Sequence, residues 1–200
     1  MNVLITDLES VLIPEIWVEV AKKFGVKELE KTTREFPDYK KLMDYRIDIL
    51  KEKNIDFEKI KTTVSEMEPL PHAKDFLDTV SNYMPVVIVS GSFFETAGII
   101  VKQLGNYTLI ANNLTIENGY IQCCDLRMND NKNEPVEFFK GLGFNTIGVG
   151  DSFNDLPLLK SSDSPILFDP SEKIRDKISD ANEAKDLKEL EKKVLKIIGI

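Results

Sequence analysis

The segment Val3-Leu4-Ile5-Thr6-Asp7-Leu8-Glu9-Ser10-Val11-Leu12 constrains the fold more than any other stretch of this chain. A short apolar run ends in Asp7, a second acid sits two places on, and small and apolar residues follow. This pattern reads as a buried strand that delivers two carboxylates to one loop at its C-terminal end. In an open α/β sheet that edge is where ligands bind. An Asp placed there can act as a nucleophile or hold a metal ion. The competing reading is a strand end that happens to carry two acids.

A second acidic strand end favours the chemical reading. Thr146-Ile147-Gly148-Val149-Gly150-Asp151-Ser152-Phe153-Asn154-Asp155 is again an apolar run ending in Gly and acid. Gly150 permits a tight turn or a close backbone approach. Two such ends in one sheet gather several carboxylates around one point, where their repulsion is costly unless a cation lies between them. An all-oxygen donor set suits Mg²⁺.

A third apolar run, Pro85-Val86-Val87-Ile88-Val89, ends in Ser90-Gly91-Ser92. A hydroxyl and free amide N–H groups at such a turn can hold phosphate oxygens. Lys132 precedes an apolar stretch containing Val136, Phe138 and Phe139, and can supply a fixed positive charge at the strand ends. Lys140 competes for that role. Taken singly, Ser90 is an ordinary helix cap and Lys132 an ordinary surface lysine.

These four segments, in this order, resemble the haloacid dehalogenase superfamily of phosphotransferases. Asp7-Leu8-Glu9 with Pro14-Glu15-Ile16-Trp17, then Thr32-Thr33-Arg34, Pro37-Asp38-Tyr39 and Arg46, is similar to its phosphoserine phosphatase branch, and within that to the phosphoserine:homoserine phosphotransferase type. The resemblance implies roles. Asp7 attacks phosphorus and becomes an aspartyl phosphate. Glu9 protonates the leaving alkoxide and then activates the acceptor hydroxyl. Asp7, Asp151 and the backbone carbonyl of Glu9 hold Mg²⁺. Ser90, the Gly91 amide and Lys132 neutralise the phosphoryl oxygens, and Asn154 supports phosphate or substrate. Asp155 orients Lys132 or a metal-bound water. Glu15 meets the substrate ammonium and Arg46 its carboxylate, for which a planar guanidinium is well shaped. Glu9 stands where most of the superfamily has Asp, and its carboxylate reaches ~1.5 Å further. His72, the only histidine, occupies a position where the family often has Gly, and is read as a structural or surface residue.

The apolar positions Ile16, Val20, Phe24 and Leu29, then Leu42, Tyr45, Ile49 and Leu50, recur at helical spacing, with no strong strand signal from about Pro14 to Glu68. The expected fold is a doubly wound, mostly parallel α/β core of the haloacid dehalogenase type, formed by residues 1–13 and 70–200, with a small inserted helical cap at 14–69. Trp17 and Met43 read as cap core. Glu117-Asn118-Gly119 marks a hairpin, taken as a small flap on one sheet edge. Pro165 suggests that the run Ser164 to Phe168 is an edge strand. The C-terminal apolar positions from Leu187 to Ile198 read as an amphipathic packing helix.

A chain of 200 residues is enough for one such core with its insertion. The net charge of -8 argues against nucleic acid as a partner. No apolar run reaches membrane-spanning length, and the chain opens directly into a strand, so a cytoplasmic protein is expected. Adjacent Cys123 and Cys124 read as reduced thiols on opposite faces of a strand. The expected function is Mg²⁺-dependent dephosphorylation of O-phospho-L-serine, with transfer to homoserine implied by the resemblance. A sugar-phosphate or nucleotide phosphatase is the alternative within the class. A catalytically dead phosphate-binding protein is the alternative outside it, and intact Asp7, Lys132 and Asp151 oppose it. Oligomeric state is left open.

Overall fold

Val3 and Ile5 pack on one face of the first strand and Leu4 on the other, so the opening apolar run needs cover on both sides. The computed structural model describes residues 1–32, 35–36, 38–128, 131–178 and 181–200. Thr33, Arg34 and Pro37, which carry part of the family resemblance, lie outside the described residues. Among the described residues the strands are β1 (Asn2–Thr6), β2 (Val86–Phe93), β3 (Thr108–Glu117), β4 (Tyr120–Asp125), β5 (Asn145–Gly150), β6 (Ser164–Phe168) and β7 (Asn182–Ala184). They form one sheet in the order β4-β3-β2-β1-β5-β6-β7. Only the β3–β4 pair is antiparallel. Leu4 sits opposite Val86 on one side and Ile147 on the other. The chain therefore leaves β1 in both directions, and a crevice opens beyond the C-terminal ends of β1, β2 and β5.

The helices are α1 (Ile16–Phe24), α2 (Tyr39–Glu52), α3 (Phe57–Glu66), α4 (Ala73–Ser81), α5 (Phe94–Leu104), α6 (Glu134–Gly141), α7 (Leu156–Ser161), α8 (Glu172–Arg175) and α9 (Leu187–Ile197). On one sheet face Leu4, Ile88 and Val149 pack with Phe76 of α4, Ile100 of α5 and Leu190 of α9. On the other, Val3, Ile5 and Val87 meet Val136 of α6, Leu158 of α7 and Ile174 of α8. Helices thus wind over both faces. Each fully buried aliphatic side chain contributes about 1.5–3 kcal/mol relative to exposure.

Helices α1 to α3 form the insertion between β1 and α4. Gly25, with φ 66°, ends α1 in the left-handed region, so Leu29 falls in a separate 3₁₀ turn rather than continuing that helix. Asp38 and Asp56 cap α2 and α3 by accepting the amides of Lys41 and Lys59. Ile16, Val20, Met43, Ile47 and Ile60 from these helices join the same apolar cluster as Leu4 and Phe93. The Phe57 amide donates to the Gly119 carbonyl (2.8 Å) and the Tyr120 hydroxyl to Asn54 (2.6 Å). The hairpin turn therefore braces the insertion.

The hairpin lies on one sheet edge as expected: β3 pairs in parallel with β2 through its first half and antiparallel with the edge strand β4 through its second. Its turn is the expected Asn118-Gly119, with φ 51° and 80°. One expectation about the strands needs correction: the Pro165 strand is not an edge, because β7 lies outside it. Pro165 is tolerated since β7 pairs only with Ile166 to Phe168, which leaves the proline's side of the ladder uncovered. His72 has φ 72°, which explains a position suited to Gly, and its Nε2 lies 3.0 Å from Glu191 Oε2 on α9. Cys123 is exposed and Cys124 buried, both free.

Gly148 shows how tightly β5 meets α7: a Cβ there would collide with Ser162 Oγ and reach Leu158 Cδ2 at 2.9 Å. Gly148→Ala is expected to cost about 1–3 kcal/mol, a melting temperature lower by roughly 2–12 °C for a chain of this size. Thermal unfolding followed by circular dichroism checks this, and an unchanged midpoint would deny the contact.

Candidate active site

Asp7 is the first residue past β1, and its amide still donates to the Val149 carbonyl of β5 at 2.9 Å. The strand ladder therefore fixes its backbone, and the Thr6 hydroxyl donates to its carbonyl at 2.9 Å. Its carboxylate Oδ1 accepts from Lys132 Nζ at 2.7 Å, and the same ammonium donates to Asp155 Oδ1 at 2.7 Å. All three side chains are buried. Lys140, the competing lysine, lies elsewhere, bound to the Ser161 carbonyl and to Asp163.

Asp155 reaches this point through a short turn. Its Oδ2 accepts the amides of Asp151 and Ser152 and the Ser152 hydroxyl, each at 3.0 Å. Gly150 makes room: a Cβ there would run into the Asp155 side chain, so close approach rather than backbone strain requires the glycine. One oxygen from each of Asp7, Asp151 and Asp155 lies within 4.8 Å of the others. Both oxygens of Asp155 are occupied, which leaves Asp7 and Asp151 as the carboxylates with unengaged oxygens.

Burial pushes the Asp7 carboxyl up to about 7; the charge of Asp155 adds to this and Lys132 opposes it. Burial, then Asp7 and Asp155, push Asp151 up to about 8. Burial also works against the Lys132 charge, but Asp155 and Asp7 outweigh it and hold the ammonium well above the ordinary lysine range. Carboxylates that resist ionising together form a site that gains from a hard cation. The donor set here is all oxygen, which fits such an ion.

The phosphate-loop candidates lie at the adjoining strand end. Ser90 is buried and its Oγ accepts the Ser92 amide at 3.0 Å, so its own hydrogen is free to donate outward. The Gly91 carbonyl accepts from Asn112 Nδ2 at 2.7 Å, while Asn112 Oδ1 accepts the Met128 amide at 2.7 Å. This fully buried Asn pins the Ser90-Gly91-Ser92 strand end to the segment that leads to Lys132. Sequence reasoning passed over Asn112; an amide amid the apolar residues of β3 was the available signal.

Glu9 is half-buried, and its Oε1 accepts the Ile16 amide at 2.7 Å, the first amide of α1. Its carboxylate is thus turned to the insertion, and any part in holding a cation falls to its main-chain carbonyl. Burial raises the Glu9 carboxyl above its usual range, against the pull of that amide. Arg46 is buried: its Nε donates to the Leu29 carbonyl (3.2 Å), its Nη2 to the Lys31 carbonyl (2.7 Å), and its guanidinium lies 4.8 Å from the Trp17 ring centre. Among the described residues no carboxylate is within ion-pair distance of it. Glu15 is exposed at the start of α1, where its charge still bears on Arg46 and Glu9. Asn154 is exposed on the turn before Asp155 and makes no hydrogen bond among the described residues.

No family model matches the chain. Full-length comparison does give relatives. The phosphoserine phosphatase of Pseudomonas syringae pv. tomato is 40% identical over 163 residues, 81% of this chain and 69% of that protein. The phosphoserine phosphatase ThrH of Pseudomonas aeruginosa is 37% identical over 179 residues, 87% of this chain and 85% of that one.

This chain belongs to the phosphoserine phosphatase family.

The fold agrees: a solved phosphoserine phosphatase carrying an analogue of its phospho-aspartyl intermediate superposes with a TM-score of 0.79 at 24% identity, covering 96% of this chain and 97% of that one. No helix among the described residues is long and apolar enough to cross a membrane. Within this family member, Asp155 has the largest structural share of the acidic site. Asp155→Ala is expected to destabilise by about 3–5 kcal/mol, since it takes one of two carboxylates from a buried ammonium and leaves three donors without their acceptor. Asp7→Asn keeps an acceptor for Lys132, removes a repelling charge, and should stay within about 1 kcal/mol of the parent. Urea unfolding compares the two, and equal losses would remove the distinction.

Proposed function

We propose that this chain is a Mg²⁺-dependent phosphoserine phosphatase that works through an aspartyl phosphate on Asp7. The observation that carries this reading is the pairing of two sites in one molecule: carboxylates with a buried ammonium at the strand ends, and on the insertion a buried guanidinium with no counter-carboxylate among the described residues. O-phospho-L-serine has a phosphoryl group for the first and a carboxylate for the second.

An Asp7 oxygen attacks phosphorus, and the bond from phosphorus to the serine oxygen breaks. Glu9 passes its proton to that oxygen; the burial that raises its carboxyl favours the protonated acid. Lys132, the Ser90 hydroxyl and the Gly91 amide hold the phosphoryl oxygens, where fixed donors contribute most. Glu9 then takes a proton from the incoming hydroxyl, whose oxygen attacks phosphorus and releases the Asp7 carboxylate. Mg²⁺, held by Asp7, Asp151 and the Glu9 carbonyl, would supply charge neutralisation for the transferring group and keep Asp7 ionised. Asp155 orients Lys132. Arg46 takes the substrate carboxylate, Glu15 its ammonium, and Asn154 supports phosphate or substrate. Residues 14–69 act as the cap that excludes water during transfer. Water is one acceptor, and L-homoserine enters by the same chemistry.

The test is phosphate release from O-phospho-L-serine with Mg²⁺ or EDTA, with and without L-homoserine. Mg²⁺-dependent phosphate release is expected, and phosphohomoserine would identify a transferase. No turnover under any condition would end the reading. Arg46→Gln should lower kcat/KM for phosphoserine about 10²-fold while turnover of a generic aryl phosphate survives. Equal loss on both substrates would take Arg46 out of specificity.

A further inference from the structure

Three groups on the insertion offer donors and find no full set of acceptors. Trp17 is 6% exposed, and its Nε1 is sealed from solvent with no hydrogen-bond partner among the described residues. A buried N–H left in this state is costly, and native proteins rarely keep one without use. The ring it belongs to carries the Arg46 guanidinium on its face, 4.8 Å from the centroid. Arg46 itself spends two of its N–H groups on the Leu29 and Lys31 carbonyls, and its Nη1 reaches only the Met43 sulfur at 3.8 Å. The guanidinium has five donors, so a forked pair is left over.

Tyr39 is the third group. It precedes Arg46 by two turns of α2, on the same helix face. Its ring stacks on Phe93 at the end of β2, with centroids 6.4 Å apart and planes 11° apart. Its hydroxyl makes no hydrogen bond among the described residues. Burial holds the phenol well above its usual range, and the charged groups that bear on it most are Arg46 and then Glu9. The hydroxyl therefore stays a protonated donor, with Arg46 and Glu9 as the charges that act on it most. A carboxylate, with two oxygens and about four acceptor positions, matches this donor set.

We propose that Trp17 Nε1–H and Tyr39 Oη–H complete, with Arg46, a three-donor seat for the substrate's α-carboxylate, which makes Trp17 and Tyr39 specificity-determining residues. This rests on the phosphoserine reading above and extends it to Tyr39 and to Trp17, which sequence patterning assigns to the cap core. The seat explains why an indole N–H is left open in an otherwise packed cluster: its acceptor arrives with the substrate.

Trp17 is the only tryptophan, so indole fluorescence reports directly on the seat. The full-length Asp7→Asn protein, with Mg²⁺, is titrated with O-phospho-L-serine and with O-phosphoethanolamine, which differ only by the carboxylate. A saturable emission change with phosphoserine is expected, and at least tenfold weaker binding of phosphoethanolamine. Adding Tyr39→Phe should weaken phosphoserine about tenfold and leave phosphoethanolamine unmoved. In the active enzyme, Tyr39→Phe and Trp17→Phe should each raise KM for phosphoserine about tenfold with kcat within about threefold. Equal binding of the two ligands, or unchanged KM in both variants, overturns the seat and leaves the phosphatase reading standing. Absence of binding by either ligand, with no turnover by the parent protein, overturns both.

Discussion

Lys132 places an ammonium between the carboxylates of Asp7 and Asp155, 2.7 Å from each, where water does not reach. A buried ion needs such partners, because desolvation alone disfavours it. The other parts of the site follow from that arrangement. Asp155 must approach β5 closely enough to accept three donors and still face the lysine, which is why Gly150 has no side chain. Asp7 must leave β1 with its backbone still in the ladder. The acids left over, Asp7 and Asp151, then face one another with charge that the protein alone does not balance.

The insertion is bound to this centre by packing rather than by a free hinge. Ile16, Met43 and Ile60 lie in one apolar cluster with Leu4 and Phe93, so the helices over the crevice and the strands beneath it share a core. Glu9 adds a polar link, since its carboxylate caps α1 through the Ile16 amide. Glu9, two residues after Asp7, and helix α1 are thereby set relative to each other within hydrogen-bond tolerance.

The parts of the site legible in the sequence are those whose meaning is local. Asp7 and Asp151 each close an apolar run, and the position of a strand's C-terminal end follows from that run alone. Lys132 is favoured over Lys140 because it precedes a helix and can reach back to the strand ends; the three-dimensional path separates the two, by 2.7 Å contacts against a surface pair. Asn112 is not legible as a support of the strand end, nor Trp17 and Tyr39 as open donors. Each satisfies the pattern of a strand or an amphipathic helix, and what singles it out is a tertiary fact, a pinned carbonyl or a donor with no acceptor among the described residues. Pro165 misled for the same reason: its strand looks like an edge until one sees that β7, three residues long, stops short of it.

Strand β3 runs through these separate findings. Near its start it pairs with β2, in its middle Asn112 holds the Gly91 carbonyl, and past its end Gly119 accepts the Phe57 amide of the insertion. From Asn112 to Gly119 is about 23 Å of extended chain at ~3.3 Å per residue. One stiff segment thus sets both the Ser90-Gly91-Ser92 end of β2 and the footing of the helices that face it. It works as a ruler: the span between that strand end and the opposite wall is fixed by a length of strand, a gauge for whatever fits between them.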